Sequence, residues 1–182
     1  MRVTMIGAGY VGLVSGVCFS DFGHDVVCVD KDPVKVAALE AGRVPIYEPG
    51  LDALLEKNVA SGRLSFGADL AAAVDGADAV FIAVGTPTRR GDGHADLSYV
   101  YAATEEIAAA LTGPCVVVVK STVPVGTNRE VLRILREKRP DLEIEVASNP
   151  EFLREGAAIE DFMRPDRVVV GAESEFARET MR

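Results

Sequence analysis

Val3-Thr4-Met5-Ile6-Gly7-Ala8-Gly9-Tyr10-Val11-Gly12 runs from an apolar strand into three glycines spaced Gly-x-Gly-x-x-Gly. In a strand–turn–helix setting each glycine has its own task. The first allows a tight turn, the second lets the backbone approach a pyrophosphate, and the third lets the helix pack on the sheet. The helix N-terminus then offers free N–H groups and a positive dipole end to the phosphates. Val11, Val14, Cys18, Phe19 and Phe22 recur with helical period and predict one apolar face. Val26-Val27-Cys28-Val29 reads as the next buried strand, closed by Asp30. Asp30 stands 18 residues after Gly12, near the spacing of a ribose-binding carboxylate. Such a carboxylate accepts from ribose hydroxyls and repels a 2′-phosphate, which favours NAD over NADP. Lys31 and Lys35 are cations close enough in sequence to offset that repulsion. The plainer reading, a glycine turn with Asp30 a mere strand-end residue, is outweighed by the whole strand–helix–strand context.

Outward from this unit, strands alternate with helices almost throughout, which predicts an α/β fold with a doubly wound, mainly parallel sheet of Rossmann type. Asp32-Pro33 is a helix start, with Asp32 as cap and Pro33 as the first helical residue. That helix should end near Gly42. Tyr47-Glu48-Pro49-Gly50 starts another helix, carrying Leu51, Leu54, Leu55 and Val59 on one face. Leu64–Phe66 is a short strand, and Asp69 caps a helix that runs to Val74. Ala79–Val84 and Cys115–Val119 are buried strands. Between them, Asp96 or Ser98 starts a helix presenting Val100, Ala103, Ile107 and Leu111. A helix over 127–138, with Thr127 as its cap, leads to a strand over 144–147. Arg167–Gly171 is expected as the last strand.

The 182 residues suffice for one good core and a short appendage. Hydrophobic residues make up 48% and charged residues 26%, an ordinary globular balance. A net charge of −9 argues against nucleic acid or an anionic membrane as main partner. No apolar run is long enough to span a bilayer. The chain enters a strand at once, so no signal peptide is expected. Cys18, Cys28 and Cys115 all lie in apolar patterns without metal-type spacing. This predicts buried reduced thiols, a cytoplasmic setting and no metal site. His24 and His94 fall far apart in loop-like contexts.

Ligands of such sheets bind beyond the carboxyl ends of the strands. Five segments should meet there: 7–12, 30–35, 85–88, 121–127 and 148–156. Gly85-Thr86-Pro87-Thr88 combines a close backbone approach at Gly85 with the Thr86 hydroxyl, although a Gly/Pro strand exit alone explains it as well. Ser121 and Thr122 can orient a water or a ligand amide, or can simply end a strand. In Ser148–Gly156, Glu151 and Glu155 stand four apart with Arg154 between them. If Glu151 starts a helical turn they share a face. Paired carboxylates in a cleft can divide proton transfer from hydrogen-bond acceptance. A solvated helix start is the plainer alternative.

The chain resembles the N-terminal part of the UDP-glucose/GDP-mannose dehydrogenase family. The resemblance covers essentially the whole chain. It rests on Gly7–Gly12, Pro45-Ile46-Tyr47-Glu48-Pro49-Gly50-Leu51, Val84–Thr88, Lys120-Ser121-Thr122-Val123-Pro124-Val125-Gly126-Thr127, Ser148–Gly156 and Arg164-Pro165-Asp166-Arg167-Val168. The Ser-Thr-Val-Pro-Val and Ser-Asn-Pro-Glu strings are similar to the UDP-glucose branch more than to the GDP-mannose branch.

The resemblance implies an NAD-binding domain over 1–182 of an enzyme that oxidises a nucleotide sugar, expected to be UDP-glucose, to its uronate with two NAD+. Cofactor contacts would come from Gly7, Gly9, Tyr10, Val11, Gly12, Asp30, Lys35, Gly85, Thr86, Pro87, Ser121, Thr122 and Glu155. Val11, Asp30 and Lys35 would serve the adenosine half. Substrate contacts would come from Glu151, Phe152, Leu153, Arg154 and Glu155. Glu151 matches the glutamate that assists acid–base chemistry, Thr122 a residue that helps hold a water, and Glu155 a residue touching cofactor and sugar. The family places its catalytic cysteine, a lysine, an asparagine and an aspartate in a linking helix and a second, nucleotide-sugar domain beyond these residues. None of Cys18, Cys28 and Cys115 matches that cysteine. This chain alone is therefore expected to bind NAD without turnover, and the whole enzyme to form a homodimer or larger assembly.

Overall fold

A computed structural model describes residues 1–91 and 93–182. It begins with β1 (Arg2–Ile6), α1 (Tyr10–Asp21) and β2 (Asp25–Val29), the unit read from the opening glycines. There follow α2 (Pro33–Glu40), α3 (Leu51–Ala60), β3 (Leu64–Gly67), α4 (Leu70–Val74), β4 (Ala79–Ile82), α5 (Ser98–Ala110) and β5 (Cys115–Val119). The chain continues through α6 (Thr127–Lys138), β6 (Ile144–Ser148), α7 (Ala158–Met163), β7 (Gly171–Ala172) and α8 (Glu175–Thr180). The sheet order is β3-β2-β1-β4-β5-β6-β7. Neighbours from β3 through β6 are all parallel, and only β7 runs antiparallel. The doubly wound α/β expectation therefore holds, and the order reverses between β1 and β4.

The apolar strands are explained by what covers them. Val116 and Val118 face one core, with α1, α3 and the buried Ala158 and Ala177 of α7 and α8. Cys115, Val117 and Val119 face the other, with α4, α5 and α6. A strand buried on both faces carries no polar alternation. The same double cover surrounds α1, which packs on the sheet and against α3 and α7. Leu13, Val14, Val17 and Cys18 are all buried, so its burial extends well beyond the single face read from the sequence. Phe22, assigned to that face, is exposed beyond the end of the helix.

Caps were well marked where a carboxylate serves. Asp32 accepts from Val34 N and Lys35 N ahead of Pro33, and Asp69 accepts from Ala72 N. The α6 cap is different. Gly126, at φ +96°, occupies the cap position, and Thr127 is the first helical residue with its hydroxyl donating to Pro124 O at 2.8 Å. The Thr127 side chain is thus turned back to the preceding loop. Val59 of α3 is exposed, and the buried position beside it goes to Asn58. β4 stops at Ile82, so Ala83 and Val84 already belong to the strand exit.

The last strand also differs. Residues 167–170 form no strand, and Val168 is 68% exposed. Val169 O is met by the Asn149 side-chain amide at 3.0 Å instead of a ladder partner. Pairing starts only at Gly171, opposite Ser148, where a side chain on residue 171 would lie 2.6 Å from Ser148 Oγ.

Candidate cofactor and substrate site

Because six strands run parallel, the segments that follow them emerge on one edge of the sheet. The glycine turn sits at the reversal between β1 and β4, where such folds open a crevice. Gly7, at φ +100°, donates its N–H to Val29 O at 2.8 Å. A Cβ on Gly7 would lie 2.7 Å from Ala83 O, and one on Gly12 would lie 1.9 Å from Gly7 O. Both glycines are required by the protein's own packing. Gly9 is the contrast: a Cβ there would meet nothing within 4 Å. Gly9 is the backbone cap of α1 without a side-chain cap, so the open space above it suits an anion at a helix N-terminus. These features fit a dinucleotide pyrophosphate.

Asp30 lies across the turn. Its Oδ2 accepts from Ala8 N at 2.9 Å and from Lys35 Nζ at 2.7 Å, and its Oδ1 accepts from Asp32 N at 3.0 Å. Burial acts to raise its pKa, but the bonds from Lys35, Asp32 and Ala8 outweigh it and hold the carboxyl below the usual range. Asp30 is therefore an ionised acceptor beside the turn, with Lys35 attached. Lys31 points elsewhere and pairs with Glu106 of α5 at 2.5 Å. Val11 is half-buried one turn into the glycine motif.

At the next two exits, the Thr86 hydroxyl donates to Thr122 O at 3.1 Å. Ser121 Oγ donates to Val84 O at 2.7 Å, so its hydroxyl ties the β5 exit to the β4 exit. Gly85 has open space around its Cα, and Thr122 is exposed. Pro87 O accepts from Asp96 N at 2.8 Å, which anchors the 85–88 segment to the start of α5.

The 148–156 segment departs from expectation. Glu151 and Glu155 do not share a helical face, because no helix forms before Ala158. The backbone N–H groups are taken by side chains. Leu153 N donates to Glu151 Oε2 at 2.5 Å, and Arg154 N donates to Asp161 Oδ2 at 2.9 Å. The Arg154 guanidinium pairs with Asp161 at 2.6 Å. Phe152 is exposed, with the Arg167 guanidinium 5.1 Å from its ring centroid. Leu153 packs against the α1-side core. Glu151 is half-buried and lines a cleft of about 900 Å³ with Phe19, Lys120, Asn149, Phe162 and Arg167. That cleft adjoins the 151–154 residues and does not include the glycine turn.

Three polar residues at this site carried little sequence signal. Lys120 is 4% exposed at the end of an otherwise apolar strand. Its ammonium donates to Asn149 Oδ1 at 3.1 Å and lies 5.6 Å from the Phe162 centroid. Burial pushes it down to about 8, opposed by the charge of Glu151. Glu48, between Tyr47 and Pro49, is 6% exposed. Its Oε2 accepts from the Tyr10 hydroxyl and from Gly156 N at 2.8 Å, and its Oε1 accepts from Ile159 N at 3.4 Å. Burial and the bond to Glu48 push Tyr10 up to about 12. Burial works to raise the Glu48 carboxyl, yet the donors around it hold it low. Loop-like sequence hides such a residue, because an isolated buried carboxylate leaves no periodicity.

With this geometry in view, the comparison with known proteins is decisive. The family model described as "UDP-glucose/GDP-mannose dehydrogenase family, NAD binding domain" matches residues 1–182. The chain belongs to this family. NAD is accordingly its cofactor. Among its relatives, the UDP-glucose 6-dehydrogenase of Rhizobium meliloti (strain 1021) is 70% identical over 178 residues, covering 98% of this chain and 41% of that protein. A solved UDP-glucose dehydrogenase from the hyperthermophilic archaeon Pyrobaculum islandicum superposes with a TM-score of 0.93 at 48% identity, covering 98% of this chain and 42% of that one. The GDP-mannose dehydrogenase of Pseudomonas aeruginosa, solved as a ternary complex, gives 0.95 at 37% identity, covering 100% of this chain and 43% of that one. The chain thus spans about two fifths of the length of the family members it matches. Family members named for different nucleotide sugars share this fold. Among the described residues, no helix is long and apolar enough to cross a membrane.

Proposed function

We propose that these residues form the cofactor half of an NAD-dependent dehydrogenase that oxidises the C6 hydroxyl of UDP-glucose to a carboxylate. The observation that carries this reading is the gathering of two sites on one sheet edge. The glycine turn with Asp30 suits a dinucleotide, and the loop bearing Glu151 and Glu155 is fastened to the same turn through Tyr10. The relatives' names supply the sugar.

Bound NAD+ supplies the hydride acceptor. The residues of this chain bind and orient it. Gly7 and Gly12 shape the turn, Gly9 leaves room for the pyrophosphate, and Asp30 accepts from the adenosine ribose. Thr86 and Thr122 flank the path towards the nicotinamide, with Gly85, Pro87 and Ser121 forming the strand exits that hold them. Glu151 assists proton transfer from the sugar hydroxyl, by itself or through a water held at Thr122. Glu155 lies between cofactor and sugar, and Phe152, Leu153 and Arg154 shape the sugar side.

None of this chain's thiols serves as a nucleophile. Cys18, Cys28 and Cys115 are buried, and burial pushes each up to about 12, whereas a reactive cysteine needs accessible thiolate.

The test uses the full-length protein with NAD+ and, in turn, UDP-glucose, GDP-mannose and UDP-N-acetylmannosamine. UDP-glucose should give the highest kcat/KM and about two NADH per sugar, as a four-electron oxidation requires. Preference for another nucleotide sugar would overturn the substrate assignment, and no NADH formation with any of them would overturn the reaction. The 182-residue chain alone should bind NADH in calorimetry without sugar-dependent turnover; turnover by it would refute the division of labour.

A further inference from the structure

Among the described residues, Glu48 is the carboxylate that reaches both halves of the candidate site. It comes from the 45–50 connection ahead of α3, a segment with no evident need for a buried charge. Yet its side chain is almost fully enclosed and receives three donors from distant places. Tyr10 is the first residue of α1, at the glycine turn. Gly156 and Ile159 bracket the entry to α7, directly after Glu155. The Gly156 amide is shared, donating to Glu48 Oε2 at 2.8 Å and to the Tyr10 hydroxyl at 3.2 Å. Gly156 itself has φ +88°, so the backbone turns sharply where the clamp grips it.

The rest of the 151–156 segment lacks a regular ladder. Its backbone is held by Glu151, by Asp161 and by this clamp. We infer that Glu48 is a positioning residue that fastens the Glu151–Glu155 loop to the dinucleotide turn and so sets where the nucleotide sugar sits relative to the nicotinamide. This rests on the function proposed above. Glu48 is occupied by protein donors on both carboxylate oxygens. It acts through Tyr10 and the Gly156 backbone. A charged acceptor is suited to the task because hydrogen bonds to a carboxylate are stronger than neutral ones.

The clamp makes an asymmetric demand. The glycine turn is also built by β1, by Val29 O and by Asp30, so it keeps its shape without Glu48. The loop depends on the clamp. In the full-length protein, Glu48→Ala should raise KM for UDP-glucose by about tenfold, the equivalent of one lost charged hydrogen bond, while NADH affinity by calorimetry falls by a clearly smaller factor, since most of the dinucleotide's contacts lie on the turn. Glu48→Gln, which keeps the shape and an acceptor, should recover most of the loss. Tyr10→Phe should show a smaller rise in KM, because Gly156 N retains Glu48.

A second readout needs no substrate. Amide hydrogen exchange at Gly156 and Ile159 should accelerate in Glu48→Ala and Tyr10→Phe, with β1 and α1 amides unchanged. Equal losses in NADH affinity and sugar kinetics, or unaltered exchange at Gly156, would overturn the inference. If the parent protein oxidises no nucleotide sugar, the function proposal fails while the exchange measurement still decides the clamp.

Discussion

Gly9 and Gly12 look alike in the sequence, but the structure gives them different reasons to be glycine. At Gly12 a methyl group would strike Gly7 O at 1.9 Å, whereas at Gly9 it would meet open space on a backbone with φ −75°. Gly12→Ala should therefore destabilise the fold by about 1–3 kcal/mol or more, as forced overpacking does. Gly9→Ala should leave thermal unfolding unchanged and weaken NADH binding by occupying the pyrophosphate's place. Differential scanning fluorimetry with and without NADH separates the two, and a Gly9→Ala protein that binds normally would remove the turn from the cofactor site. Asp30 gives a second prediction at this scale. Its ionised carboxylate meets Lys35 at 2.7 Å, so Asp30→Ala loses a ribose acceptor and frees a cation. NAD affinity should fall and the gap to NADP should narrow; unchanged affinities for both in a folded protein would refute it. Individual residues were legible where backbone geometry dictates the side chain, as at Gly7, Gly12 and Asp30. Glu48, Lys120 and Asn149 were not, because their partners lie 20 or more positions away along the chain and leave no local pattern.

Elements were read most securely where an apolar run or apolar period was continuous over its whole length. The limits of α6, β5 and α2 match the pattern, and the Asp32 cap forms the predicted bonds. Asp32→Ala should cost about 1 kcal/mol of stability, the usual worth of a carboxylate cap, measured by urea unfolding; no loss would mean that Pro33 alone sets the start of α2. The reading failed where tertiary partners outcompete local preference. Acidic residues over 151–155 suit a helix start, but Asp161 of α7 takes the Arg154 amide and Glu48 the Gly156 amide, and the helix begins only at Ala158. Arg167–Val170 has strand-like composition, yet Asn149 takes its carbonyl and the ladder waits for Gly171. The single apolar face expected of α1 is a burial that spreads around the helix once sheet, α3 and α7 enclose it.

For the whole molecule, alternation of strands and helices was enough to specify the doubly wound sheet, because right-handed crossovers leave few arrangements. The antiparallel turn at β7 was beyond reach, since a two-residue pairing has no period. Charge acts at this scale too. Asp21, Asp30 and Glu48 are all held below the usual carboxylate range by their donors. A group whose pKa is lowered on folding adds stability above its unfolded value, and that stability is lost as pH falls through the folded value. Urea midpoints should thus drop below about pH 4; a protein equally stable at pH 3 would show that these contacts add nothing. The brevity of β7 has an effect outside the site. A sheet's margins are where a second chain can add strands and start fibrous growth. Here one margin is the four-residue β3 and the other the two-residue β7, with the Asn149 amide satisfying the carbonyl just ahead of it. Such truncated margins give an incoming strand little to copy, which favours a dispersed protein at high concentration.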